Sequence, residues 1–78
     1  MDPNILEEGK LYETVKDVNV CNYSNGVCSL QNDIELQEKT KLTYRGRSAD
    51  DDGFIFESED GNQYCLHLND LDYIIIAE

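Results

Sequence analysis

From Lys10 onward, apolar side chains recur at every second position in short runs, and this period constrains the chain more than any other feature. Tyr12, Thr14, Val18 and Val20 share one parity. Ile34 and Leu36 alternate with Glu35 and Gln37, and Leu42 and Tyr44 alternate with Thr43 and Arg45. Tyr64, Leu66 and Leu68 share one parity and leave Cys65 and His67 on the other. Successive strand residues point to opposite faces, so period two predicts half-buried strands. Phe54-Ile55-Phe56 opens a further strand, and residues 73–76 close the chain with a β-branched run.

Turn signals separate these runs. Asn25-Gly26 lies in the polar stretch 22–26, and this dipeptide favours a tight hairpin because both central residues take positive φ. Residues 48–53 form a polar break, and Glu59-Asp60-Gly61-Asn62 is a four-residue turn signal. Asn69-Asp70-Leu71-Asp72 is too short for an α-helix and suits a 3₁₀ turn. Ile5, Leu6 and Glu7-Glu8 allow one helical turn, which Gly9 ends. The expectation is an all-β domain over residues 10–78, with about five short strands behind a prefix, residues 1–9.

With 78 residues the chain is one domain. At this size only about 60% of the unfolded surface leaves water on folding, so the core is small. Tyr12, Val18, Leu36, Leu42, Tyr44, Phe56, Tyr64, Leu66 and Ile75 are its expected members. The longest apolar run is Ile74-Ile75-Ile76-Ala77, far short of the ~18 residues of a membrane span. The opening residues lack a basic stretch followed by an apolar one, so no signal peptide is expected.

Charge narrows the range of partners. Seventeen acids against six bases give −11, unevenly distributed. Residues 1–47 hold eight acids and all six Lys and Arg, whereas residues 48–78 hold nine acids and neither base. Such a field repels nucleic acid and anionic membrane, because phosphate binding needs Lys and Arg to release counterions. It attracts basic surfaces and speeds encounter with them. Excess acid also serves solubility alone.

Three cysteines, Cys21, Cys28 and Cys65, make an odd number with no CxxC spacing. Reduced thiols and a cytoplasmic location are expected, although Cys21 and Cys28 flank a turn across which they would meet. His67 is the only candidate fourth ligand for zinc, and the spacing fits no usual zinc site. Residues 48–59 match the twelve-residue calcium loop at Asp50, Asp52, Gly53, Ile55 and Glu59. Ser48 stands where Asp is expected, and the flanks alternate with period two where helices are needed. No metal or other cofactor is expected. His67 has no Ser or Cys nucleophile tied to it, and no glycine-rich phosphate loop is present, so the chain is not expected to be an enzyme.

Leu11-Tyr12-Glu13, a long irregular segment and then residues 34–42 resemble the opening of an SH3-like barrel, with its first strand, long RT loop and diverging turn. Gly53-Phe54-Ile55-Phe56-Glu57 resembles the third strand of that family, and residues 59–62 its distal hairpin. Residues 63–68 are similar to its fourth strand, 69–72 to its 3₁₀ turn and 73–77 to its last strand. The resemblance implies a single five-stranded barrel with a long first loop. It does not carry the proline-rich ligand of signalling SH3 domains. Tyr12 and Tyr73 fall near aromatics of that groove, but Phe54 stands in the tryptophan position and the chain has no Trp. In size and acidity the chain is also similar to phage-encoded accessory and inhibitor proteins.

Binding therefore remains as the expected function. Asp50, Asp51, Asp52, Glu57, Glu59 and Asp60, with Asp70 and Asp72 beyond them, would form a negative face if the third and fourth strands pair. Phosphates recur about every 3.4 Å along one DNA strand, close to the rise of a strand residue, so a carboxylate row would also imitate DNA. The expected function is a small acidic inhibitor or modulator that binds a protein with a basic surface, with Tyr23 in the long loop as an exposed aromatic contact. The alternatives are a DNA mimic and a structural or assembly subunit. No direct nucleic acid or membrane partner is expected.

Overall fold

The computed structural model describes residues 2–24, 27–47 and 53–77. Seven strands form one antiparallel sheet: β1 Leu11–Thr14, β2 Val18–Ser24, β3 Val27–Leu36, β4 Lys41–Arg47, β5 Phe54–Ser58, β6 Gln63–Leu66 and β7 Ile74–Ile76. Their order is β3-β2-β6-β5-β4-β1-β7. Two 3₁₀ turns complete the fold, η1 Pro3–Ile5 and η2 Leu68–Tyr73. Among the described residues no helix is long and apolar enough to cross a membrane.

The all-β expectation is met, but five strands become seven. The long first loop is itself a hairpin, β2 against β3, with Val18 opposite Leu36 and Ser24 opposite Val27. The Asn25-Gly26 turn expectation lies outside the described residues. Val18 and Val20, and Ile34 and Leu36, mark the ends of these strands by period two, and a shift in register between Cys21 and Asn22 breaks the alternation beyond them. The single parity of Tyr12, Thr14, Val18 and Val20 belongs to two separate strands. β1 pairs with β4 and β7, whereas β2 pairs with β3 and β6.

Closure also differs from the expected barrel. Among the described residues, pairing stops at β3 on one side and at β7 on the other, so the sheet is open. It is nevertheless strongly curled, with principal extents of 29 × 24 × 23 Å that a flat layer would not give. Curling lets all seven strands contribute to one core: Tyr12 and Phe56 meet edge to face with centroids 5.9 Å apart, and Val18, Leu36, Leu42, Leu66 and Ile74 surround them. At roughly 25 cal/mol per Å² of apolar area, burying this cluster is the main force holding the sheet in its curl.

Eight of the nine expected core residues are buried, and Ile75 is the exception at 49% exposure. Thr14 lies opposite Ile74 and Glu13 opposite Ile75, so the register turns Ile74 to the core and Ile75 outward. Leu68 is exposed because β6 ends at Leu66 and η2 begins at Leu68. Cys65, expected on a solvated face, is buried with Cys21 and Ile55 in a small second cluster on the outer face of the sheet.

The prefix is packed rather than trailing. Leu6 packs against the main core, the Glu7 N–H donates to the Tyr12 hydroxyl at 3.0 Å, and the Gly9 N–H donates to the Tyr44 carbonyl at 2.8 Å. Gly46, at φ 116°, follows this contact at a register shift in β4. A Cβ at Gly46 would stand 2.7 Å from a Glu8 carboxylate oxygen, the end of a flexible side chain that can move aside, so a larger residue is disfavoured there mainly by the positive φ.

Candidate functional site

An open groove of about 520 Å³ lies where the turn between β3 and β4 approaches the turn between β5 and β6. Leu36 and Tyr64 supply its apolar floor, both largely buried as members of the main core. Lys39, Thr40 and Lys41 form one lip, and Ser58, Glu59 and Asp60 form the other. Opposite charges thus flank an apolar floor, the composition of a site that anchors one side chain and orients it.

Each lip is fixed by its own backbone. Lys39 takes φ 65°, a left-handed conformation uncommon outside glycine, and its N–H is held 2.8 Å from the Thr14 carbonyl. Thr14, itself buried, receives the Thr40 N–H on its hydroxyl at 2.9 Å and donates that hydroxyl to the Gln37 carbonyl at 2.8 Å. A strained residue held by neighbouring structure at the rim of a groove is where functional constraint concentrates.

The acidic lip is the turn between β5 and β6. Asp60 accepts from the Ser58 hydroxyl and from the Asn62 side-chain amide at 3.0 Å, and Gly61 at φ 90° completes the reversal. The Ser58 hydroxyl, then the Asn62 backbone N–H, hold the Asp60 carboxyl below its ordinary range. Glu59 is exposed beside it.

The other acids fall in different places. Glu57 is half-buried on β5, 3.3 Å from the Arg45 guanidinium, and accepts from the Gln63 amide at 3.2 Å. Asp70 accepts the His67 backbone N–H at 3.0 Å at the start of η2, and its carboxylate lies 3.8 Å from His67 Nδ1. Asp72 is exposed. β5 does pair with β6, with Phe54 opposite Leu66 and Glu57 opposite Gln63. That pairing puts Glu57, Glu59 and Asp60 at one end of the hairpin and Asp70 and Asp72 beyond the other, separated by roughly 13 Å of strand rise. Between them the outer face carries Ile55 and Cys65 rather than acids. Asp50, Asp51 and Asp52 lie outside the described residues.

Tyr23 is half-buried and packs on the Cys21, Ile55 and Cys65 cluster, so it is not the freely exposed aromatic that a loop position implied. Cys21 stands opposite Cys65 on β6, whereas Cys28 stands opposite Tyr23. The hairpin register therefore does not oppose Cys21 to Cys28. The calcium-loop match continues into β5 and follows β4, strands where the motif requires helices. Of the aromatic positions implied by the SH3 resemblance, Tyr12 and Phe54 are buried, and Tyr73 is half-buried beneath the Lys16 ammonium at 3.8 Å. They present no open aromatic platform.

Sequence reading singled out Glu59 and Asp60 but missed Lys39, Lys41, Leu36 and Tyr64 as their neighbours in a groove. No local pattern links residues 36–41 with residues 58–64; the meeting depends on the β4–β5 and β5–β6 registers. No family model, curated protein or solved structure matches the chain.

Proposed function

We propose that the chain is a protein-binding module that modulates or inhibits a partner carrying a basic surface. The observation that carries this reading is the groove, with its apolar floor of Leu36 and Tyr64 and acidic lip of Glu59 and Asp60. Partner side chains with apolar stems and cationic heads, Arg or Lys, match the floor and the acidic lip, and are oriented away from the opposite lip by Lys39 and Lys41. The excess of acid in residues 48–78 adds long-range attraction to the same partners. An SH3-like architecture is the finer fold reading. Its support is the sequence of first strand, long excursion, three successive antiparallel strands, 3₁₀ turn and last strand. The division of the described acids between two ends of a hairpin gives less support to mimicry of DNA.

Capture from cell lysate at low and high salt, followed by binding kinetics, tests the function. Neutralising Asp50, Asp51, Asp52, Glu57, Glu59 and Asp60 to Asn or Gln removes six charges while nearly preserving shape. The variant is expected to associate more slowly and with less salt dependence, with a smaller change in dissociation. Binding at the wild-type rate in low salt would remove the acids from the mechanism. Competition by duplex DNA for the captured partner would favour mimicry instead.

A further inference from the structure

β7 is one of the two outer strands of the sheet. On β7 the Ala77 N–H donates to the Leu11 carbonyl, and the Tyr73 carbonyl accepts the Val15 N–H. Antiparallel pairing alternates, so odd-numbered residues of this segment bond to β1, and Ile74 and Ile76 turn their backbone groups away from it. The Ile74 N–H donates to the Leu71 carbonyl. The Ile74 carbonyl and both backbone groups of Ile76 therefore face the side of β7 where no described strand pairs.

Sheet edges are usually blunted by charge, proline or a bulge. β7 has only its shortness: three isoleucines, with Ile75 and Ile76 49% and 40% exposed. Val15, beside Tyr73, adds a further exposed aliphatic side chain. Charge beside the edge is mixed, with Glu13 opposite both Ile75 and Lys41, Asp72 exposed in η2 and Lys16 stacked on Tyr73, so the acidic field at β7 is that of the whole chain at −11.

We propose that β7 is a docking edge for an extended segment of a partner protein that alternates aliphatic and basic residues, added antiparallel or parallel as an eighth strand. Backbone groups of the segment pair with Ile74 and Ile76, its aliphatic side chains cover Ile75 and Ile76, and its cations meet the acidic field. A second copy of this chain fits poorly, because each brings a charge of −11 and an edge only three residues long. The inference rests on the protein-binding reading above and adds a surface distinct from the groove.

The test is an amide NMR titration of the full chain with the capped peptide Ac-Lys-Val-Lys-Val-Lys-Val-NH2, using Ac-Glu-Val-Glu-Val-Glu-Val-NH2 as control. The basic peptide is expected to shift the Ile76 amide and slow its hydrogen exchange, and the acidic one to leave it unchanged. Ile76→Pro removes an N–H that β1 does not use and is expected to weaken the peptide by about tenfold, the loss of roughly one hydrogen bond. Ile75→Lys leaves the backbone intact and places a cation on the edge, so it should also weaken the basic peptide if Pro at 76 impairs folding. Shifts confined to Lys39, Glu59 and Tyr64, or none at all, would overturn the proposal, as would concentration-dependent protection of Ile76 without peptide. Salt-sensitive capture of a lysate partner that survives Ile75→Lys but not the six-site neutralisation would leave the protein-binding reading standing and remove the edge.

Discussion

The two ends of the β5–β6 hairpin carry similar acids but are held by different forces. At the η2 end, Leu71 and Leu66 are wholly buried and Phe54 nearly so, which fixes the 3₁₀ turn to the main core. At the groove end, Ser58, Asp60 and Asn62 hold the turn through hydrogen bonds in contact with water. Buried apolar area contributes kilocalories per side chain, whereas exposed polar contacts contribute tenths to about one. The η2 end is therefore scaffold, and the groove end is free to carry recognition at small cost to stability.

The strongest way to break this contrast is to truncate the core beneath η2. Leu71→Ala is expected to cost about 2–5 kcal/mol in denaturant unfolding, a large share of a small domain's stability. Asn62→Ala at the other turn should cost under about 1 kcal/mol. Comparable losses at the two sites would erase the distinction.

A smaller effect is expected at Asp70. Asp70→Ala removes the acceptor of the His67 N–H at the start of η2 and should cost about 0.5–2 kcal/mol, the range for lost helix caps. Thermal melts of the single variant and of Leu71→Ala would rank the polar and apolar contributions at this one end.

The smallest effect is a pH dependence at the groove end. The folded carboxyl of Asp60 sits below its ordinary value, so its contribution is fully present above the ordinary aspartate range and is lost as pH falls through the lowered value. The melting-temperature gap between wild type and Asp60→Asn should therefore narrow on acidification through that window. A gap that widened would show that the hydrogen bonds from Ser58 and Asn62 do not favour the ionised form.

Much of this architecture is legible in single residues. Leu42, Tyr44, Tyr64 and Leu66 alternate because they sit on the face of their strands that meets the main core, and each is buried. Only the ends of β2 and β3, at Val18 and Val20 and at Ile34 and Leu36, show the alternation, because the irregularity after Cys21 interrupts the period along the rest of the hairpin. Ile74 and Ile75 are chemically identical, so composition says nothing about which faces inward; the register with Thr14 and Glu13 decides it.

The sequence by itself determined an all-β chain, the turn at residues 59–62, most of the core and the acidic bias, since each follows from local period, turn chemistry or a count of charges. Tertiary structure alone decided that Lys39 and Lys41 face Glu59 and Asp60 across Leu36 and Tyr64, because residues far apart in sequence meet there only through strand register. It likewise decided that Cys65 is buried on the outer face and that β7 ends the sheet with exposed isoleucines. Strand order is a property of pairing between distant segments, and no pattern confined to one segment encodes it.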